Sequence, residues 1–476
     1  MTMSKQNNNL SHITKSLDEI LKTRPILSKI LESHEITDYL KPAFEWNPNE
    51  RDFPYKNLLC DIICSEVHRL YGKDISDGVR KQFRQAWSVE TGAHLHIPKK
   101  FDRVTKQNGP QITPLLFQGQ VLWASVGYSY GFTYNMSLNS GRIPPNNINS
   151  GAYIEFNSIP SLRTVASKYK ETPQSYIPSI KGIELQEKKR LVESYFLQKS
   201  ITEDEYIRAQ AILYIFENET GGFSDQVAVS HAHMLNTATQ STITQVTLDS
   251  ELIGLQLFSH LLDTHDSVIY KIFSDSELRK KFMKTFQDIS TGWNSDESPF
   301  NELYEHNTSK VLCMRNYSGD LEIGNLKQLI LRKKLLPRGV MKFFMFIVEC
   351  GICPIGGWNQ SAYCTDIRDR SVEFLKEIGL TERAQHVEMI PTNIAGIAPA
   401  WGFKTSNDGI VHLLDAISVY DKPLTKKEFE NIAHISSRDA LLIALPSLYS
   451  FLLDPKLAPS LDQIYLFVKD ENSVKY

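Results

Sequence analysis

Long apolar runs are missing from this 476-residue chain. The most hydrophobic stretch, 340–355, is interrupted by Lys342, Glu349 and Gly351 and falls short of the ~18 uninterrupted apolar residues that a membrane span requires. Cysteine is also scarce. Six thiols in so long a chain do not make the disulfide framework of a secreted domain. The first ten residues are polar and contain no apolar segment behind a basic start, so no export signal is visible and a cytoplasmic location is expected. Charge of one sign is lacking too. With 52 basic against 55 acidic residues, a net charge of −3 and no long single-sign run, nothing recommends nucleic acid or an anionic membrane as partner. A small-molecule substrate is the expected partner. Internal repeats are absent as well, which argues against a solenoid.

What is present supports a core. Hydrophobic residues make up 41 % and charged residues 22 %, enough apolar side chain to offset chain entropy without disulfides or a metal. The length predicts more than one structural unit. An N-terminal helical segment is expected over 1–85, the first half of an α/β core over 86–250, a helical insertion returning to the core over 251–370, and a mainly helical region over 371–476.

Helical spacing runs through 10–40, broken at Pro25, and through 55–71, where Gly72 ends it. Cys60 and Cys64 lie one turn apart on the apolar side of the second helix, as core residues do. From Trp87 to Ile97 the period changes to two, with Trp87, Val89, Thr91, Ala93, Leu95 and Ile97 alternating with Ser88, Glu90, Gly92, His94 and His96. An apolar helix at 115–126 and a second alternating strand at 132–138 complete a β-α-β unit, which points to a parallel or mixed sheet. Helix is expected over 184–217 and 248–285, and strands over 227–247 and 343–348.

Two histidine pairs carry possible chemistry. In a continuous strand, Glu90, His94 and His96 share one face with the imidazoles roughly 6–7 Å apart, and His231-x-His233 repeats the spacing. Imidazole with carboxylate suits Zn²⁺ or Fe²⁺, so a metal-dependent hydrolase or oxygenase is one reading; exposed or hydrogen-bonded histidines are the plainer one. Alternatively the strand ends at Glu90 and Thr91-Gly92 makes the turn. His94 and His96 then sit at the carboxyl edge of the sheet, where open parallel sheets bind ligands and a histidine can stabilise charge developing in a transition state.

Two segments resemble the cysteine-adding ligase family of bacillithiol biosynthesis. The first is Val89-Glu90-Thr91-Gly92-Ala93-His94 followed by Pro114-Leu115-Leu116-Phe117, similar to the family's V-V-T-G-Q-Q turn and G-P-L-Y helix start. The second is Leu335-Leu336-Pro337 with Cys353-Pro354-Ile355-Gly356-Gly357-Trp358-Asn359-Gln360-Ser361-Ala362-Tyr363, similar to L-L-P and Y-V-G-G-P-x-E-x-x-Y. Ala93 and His94 replace the paired glutamines, Gln360 replaces a glutamate, and the family's acidic segment after the next strand has no counterpart. The resemblance covers about a third of the chain. It implies a Rossmann-like core and a bacterial biosynthetic ligase or transferase that joins an amine or amino acid to a carbonyl- or phosphate-bearing substrate, with a nucleotide as the cofactor it suggests. Thr91, His94 and His96 would be catalytic; Gly92, Gly356, Gly357, Asn359, Gln360 and Tyr363 would line the cleft.

Arg142 and Asn146 in the Ser-Gly-Arg loop, and Arg315 beside Asn-Tyr-Ser-Gly, are the further candidates for meeting a carboxylate or phosphate. Cys350, Cys353 and Cys364 lack an evident fourth ligand and read as buried thiols. A non-catalytic binding protein or bacterial effector is the third functional class the sequence allows.

Overall fold

The computed structural model describes residues 3–92, 112–140, 174–179, 184–201, 221–286, 321–333, 335–337, 339–405, 411–416 and 422–470, with strands at 302–305 and 310–313 and scattered positions between them. In chain order the strands are β1 (Ser88–Glu90), β2 (Tyr134–Asn139), β3 (Thr244–Asp249), β4 (Glu302–Glu305), β5 (Lys310–Cys313), β6 (Leu335–Pro337), β7 (Cys353–Ile355), β8 (Phe403–Thr405) and β9 (Val411–Leu413). Four of them form a parallel sheet in the order β3-β2-β1-β7. The chain is otherwise largely helical, an α/β arrangement with a small parallel sheet, and β4, β5 and β6 pair separately as an antiparallel sheet.

The β1-helix-β2 unit forms where the hydrophobic period changes. The connecting helix, Ile112–Ser129, buries Leu115, Val121, Leu122 and Val126, while β2 keeps the strict alternation of its sequence. β3 lies beyond β2, yet β7 returns to the other side of β1. The chain therefore changes direction across the sheet between β1 and β7. In open parallel sheets the crevice outside the carboxyl ends at such a point is where ligands bind.

Two strand expectations are corrected. Residues 339–349 are helical, an α-helix at Gly339–Phe344 continuing as a π-helix at Met345–Glu349, and the strand comes afterwards at β7. All eleven are apolar or buried polar positions, and a continuous apolar run carries no period that separates a buried strand from a buried helix. Most of 227–247 is the helix Phe223–Ala238, with the strand confined to β3. Asp225 accepts the Gly222 N–H at 2.9 Å and starts that helix. Ala228, Ala232 and Ala238 line its buried side.

Among the described residues one hydrophobic cluster reaches from Ile13 to Val468, so N- and C-terminal helices pack into the same interior as the sheet, and Leu336 with Tyr176 and Leu255 forms a small separate one. Among the described residues no helix is long and apolar enough to cross a membrane.

Candidate functional site at the carboxyl edge of the sheet

β1 ends at Glu90, and Thr91 and Gly92 follow it outside the strand. This corresponds to the shorter of the two strand expectations; a continuous strand over 87–97 is not formed. Thr91 N–H donates to the Ile355 carbonyl at 2.7 Å, extending the β1–β7 ladder into the turn. A methyl group built on Gly92 would lie 2.7 Å from Gly356 Cα and 2.8 Å from Gly357 N. The two glycine turns, more than 250 residues apart in sequence, thus touch backbone to backbone at the switch point, and only a residue without Cβ allows that approach.

Gln360, on the helix Trp358–Glu377, lies against Gly356 and donates through Nε2 to Thr91 Oγ1. Gln360 and Thr91 are thereby buried parts of the turn pair. Gly357 precedes the helix and has open space beside it; Asn359 is half-buried next to it. Tyr363, one turn on, packs its ring against Phe343 at 5.6 Å between centroids. His94, His96, Arg142, Asn146 and Arg315 lie outside the described residues.

The sheet itself holds the feature that the sequence reading missed. On one face of β1, β2 and β3, register and alternation bring together Ser88 and Glu90, then Asn135, Ser137 and Asn139, then Gln245, Thr247 and Asp249. Every one of these polar side chains is buried. The opposite face carries Val89, Met136, Leu138, Val246 and Leu248, also buried. Strands buried on both faces ordinarily read as near-continuous hydrophobic runs. Here the alternation is that of a half-exposed strand, but neither face is exposed.

Two helices cover the polar face. Gln120, from Ile112–Ser129, donates through Nε2 to Glu90 Oε2 at 3.2 Å. Ser224 and His231, from Phe223–Ala238, reach Asp249 and Asn139 respectively. Asn135 Nδ2 donates across the strands to Gln245 Oε1 at 2.6 Å. Even so, Ser88 Oγ, Asn139 Oδ1, Gln245 Nε2 and Thr247 Oγ1 have no hydrogen-bond partner among the described residues, four of the eight such buried side-chain atoms. Buried polar atoms are paired as a rule, so half of the exceptions among the described residues falling on one sheet face set that face apart.

At the carboxyl end the polar face becomes ionisable. Asp249 accepts the Glu251 N–H at 2.8 Å as the cap of the helix Ser250–Leu261, and hydroxyl hydrogen bonds from Ser175 at 2.7 Å and from Ser224. Burial, reinforced by the charge of Glu251, pushes its carboxyl up to about 7 despite those donors. His231 is pushed down to about 4 by burial, so its imidazole is neutral at pH 7. Its Nδ1 lies 3.3 Å from Asn139 Nδ2 and accepts that N–H.

Beside them, Lys342 and Glu251 form a buried ion pair at 3.1 Å, only 3 % and 2 % exposed. The Lys342 ammonium also donates to Ser140 Oγ and Ser250 Oγ, each at 2.8 Å, so its three protons are matched by three acceptors. Ser140 follows β2 and Ser250 follows β3. A cation from the returning chain therefore ties together the ends of two neighbouring strands.

The second histidine pair does not make a strand-borne metal site. His231 and His233 lie on a helix, where two residues turn through about 200°, and they point to different sides. Among the described residues no group of three or more His, Cys, Asp or Glu could hold a metal ion. Cys350, Cys353 and Cys364 are free and fully buried, and burial raises each thiol. Cys353 donates to the Pro391 carbonyl at 3.3 Å.

Asn139, Asp249, Ser175, Ser224, Ser250, Glu251 and Lys342 were not singled out from the sequence. The one signal available was local: Thr-Gln-Val-Thr-Leu-Asp at 244–249 and Tyr-Asn-Met-Ser-Leu-Asn at 134–139 share a polar-apolar alternation ending on an amide or carboxylate. Comparison of the chain with protein-family models, with curated proteins and with solved structures finds no match.

Proposed function

We propose that the chain is a small-molecule biosynthetic ligase or transferase, joining an amine or amino acid to a carbonyl- or phosphate-bearing substrate in a Rossmann-like cleft at the carboxyl edge of the β3-β2-β1-β7 sheet. The observation that supports this best is the contact between Gly92 and Gly356-Gly357 at the switch point. Backbone N–H groups at such glycine turns can approach an anionic or carbonyl oxygen closely. The same two segments carry the resemblance to the cysteine-adding ligases, which we extend to function on that ground. Thr91, His94 and His96 are proposed to stabilise charge at the reacting centre, and Arg142, Asn146 and Arg315 to bind the anionic substrate group.

Ionisable groups are held in unlike states on adjoining elements: burial raises the Asp249 carboxyl to about 7 and keeps the His231 imidazole neutral at pH 7. Groups pushed apart in this way favour proton transfer between an amine nucleophile and a leaving group.

The test is untargeted mass spectrometry of a metabolite extract incubated with the purified protein. A ligase or transferase consumes an amine-bearing metabolite and yields a product containing its mass plus a transferred group. Gly92→Val, which drives two turns apart, abolishes that change. Mass gains of one water, lost on chelation, would instead favour the metal-dependent hydrolase.

A further inference from the structure

Cys60 and Cys64 lie one turn apart on the helix Lys56–Tyr71, with their sulfurs 4.0 Å from each other. After the turn at Gly72 the helix Lys73–Phe83 runs back alongside. Ser76 Oγ donates to the Cys64 carbonyl at 2.7 Å, and one turn later Arg80 brings Nη1 within 4.0 Å of Cys60 Sγ. The same nitrogen donates to Asp61 Oδ1 at 2.6 Å. The two helices thus pass in opposite senses, with Ser76 level with Cys64 and a guanidinium level with Cys60.

This pair differs from the other buried thiols in its setting. Cys350, Cys353 and Cys364 are wholly enclosed, whereas Cys60 is 9 % exposed and is bordered by the Arg80 and Asp61 side chains, 40 % and 63 % exposed. Cys60 therefore stands at the rim of the core, next to solvent, and Cys64 stands behind it. A guanidinium beside a thiol favours the thiolate, the form that binds metals.

Spacing decides what the two sulfurs can hold together. A disulfide needs Cβ atoms roughly 3.5–4.5 Å apart, and residues four apart on a helix keep theirs ~5–6 Å apart, so closing that bond distorts the helix. A metal ion asks for less. Two metal–thiolate bonds of ~2.3 Å meet at one ion across 4.0 Å with an angle of roughly 120° between them. Zinc in a structural site takes four ligands, and among the described residues no group of three or more His, Cys, Asp or Glu is placed to supply them. Cu(I) is selected by soft thiolates and is stable with two of them.

We propose that Cys60 and Cys64 form a two-thiolate clamp for a soft monovalent metal ion, Cu(I), which enters from the Cys60 side. Binding releases two thiol protons to solvent and forms two sulfur–metal bonds, with no electron transferred. None of the clamp's residues belongs to the cleft at the carboxyl edge of the sheet, so the clamp stands or falls apart from the ligase or transferase reading.

The full chain, reduced and under argon, is titrated with Cu(I) in competition with the chelator bicinchoninate. The wild type takes up one ion, and X-ray absorption, which needs no variant, shows two sulfur neighbours. Cys60→Ser and Cys64→Ser each bind at least about a hundredfold more weakly, more than loss of a group that merely supports a ligand costs. Far-UV circular dichroism checks that both variants fold.

No uptake, uptake unchanged in either variant, or nitrogen and oxygen neighbours in place of the two sulfurs each overturns the proposal. A Cys60–Cys64 disulfide formed by diamide in the metal-free chain, read by mass spectrometry as the loss of two hydrogens, overturns it as well, because the clamp requires sulfurs that the helix keeps apart.

Discussion

The two faces of the β1–β2–β3 sheet are equally buried and chemically opposite. One presents Val89, Met136, Leu138, Val246 and Leu248 to a conventional interior; the other carries Ser88, Glu90, Asn135, Ser137, Asn139, Gln245, Thr247 and Asp249. Burial alone therefore does not say what a face is for. The apolar face gains free energy by leaving water, at roughly 25 cal/mol per Å². The polar face gains little of this and leaves four atoms without a partner among the described residues, so burial of apolar area does not account for its composition.

Removing one partner of the cation clasp should have the largest effect. Lys342→Met leaves Glu251 charged and buried without its ammonium, and should cost about 3–5 kcal/mol in urea denaturation. Adding Glu251→Leu to it should restore most of the loss. A double variant no more stable than the single one would mean that the lysine's contacts to Ser140 and Ser250, not the ion pair, hold the strand ends.

On the apolar face, Leu248→Ala removes a side chain 1 % exposed and should cost roughly 2–5 kcal/mol with an unchanged denaturant slope. A cost below about 1 kcal/mol would erase the contrast between the faces.

Two titrations of opposite sign sharpen it further. His231 is depressed from 6.5 to about 4, so between those values the folded chain binds fewer protons than the unfolded one. Its contribution is complete above about pH 6.5 and lost as pH falls toward 4. Asp249 is raised from 3.8 to about 7. Its contribution is complete below about pH 4 and lost as pH rises through 7. His231→Gln should flatten the acid limb of stability against pH, and Asp249→Asn, which keeps an acceptor for the Glu251 N–H, the limb toward neutrality. Urea midpoints at a series of pH values check both, and unchanged limbs would show that neither group is perturbed by its burial.

How much of this the sequence carried depends on length scale. The β1-helix-β2 unit was legible because period two gives way to helical spacing and returns, and the end of β1 before Thr91-Gly92 was legible for the same reason, whereas the strand before Gly356-Gly357 was placed too early, at 343–348. The strand order across the switch point was not readable from local pattern, since it is set by which helices pack together over hundreds of residues. Residues 343–348 misled because Phe-Phe-Met-Phe-Ile-Val fits a buried strand and a buried helix equally. His231 and His233 misled because a two-residue spacing has meaning only once the strand is granted. Asn139 and Asp249 are ordinary in sequence and become notable only when register sets them side by side.

The central claim is that the polar face does not serve the fold, and the double substitution Thr247→Val with Ser88→Ala tests it most directly. Both hydroxyls are buried without a hydrogen-bond partner among the described residues, and both replacements nearly preserve shape. Deleting an unpaired buried hydroxyl removes a desolvation cost, so the urea midpoint should equal or slightly exceed that of the wild type. A loss of more than about 2 kcal/mol would mean that these hydroxyls hold the sheet together, and would contradict the account.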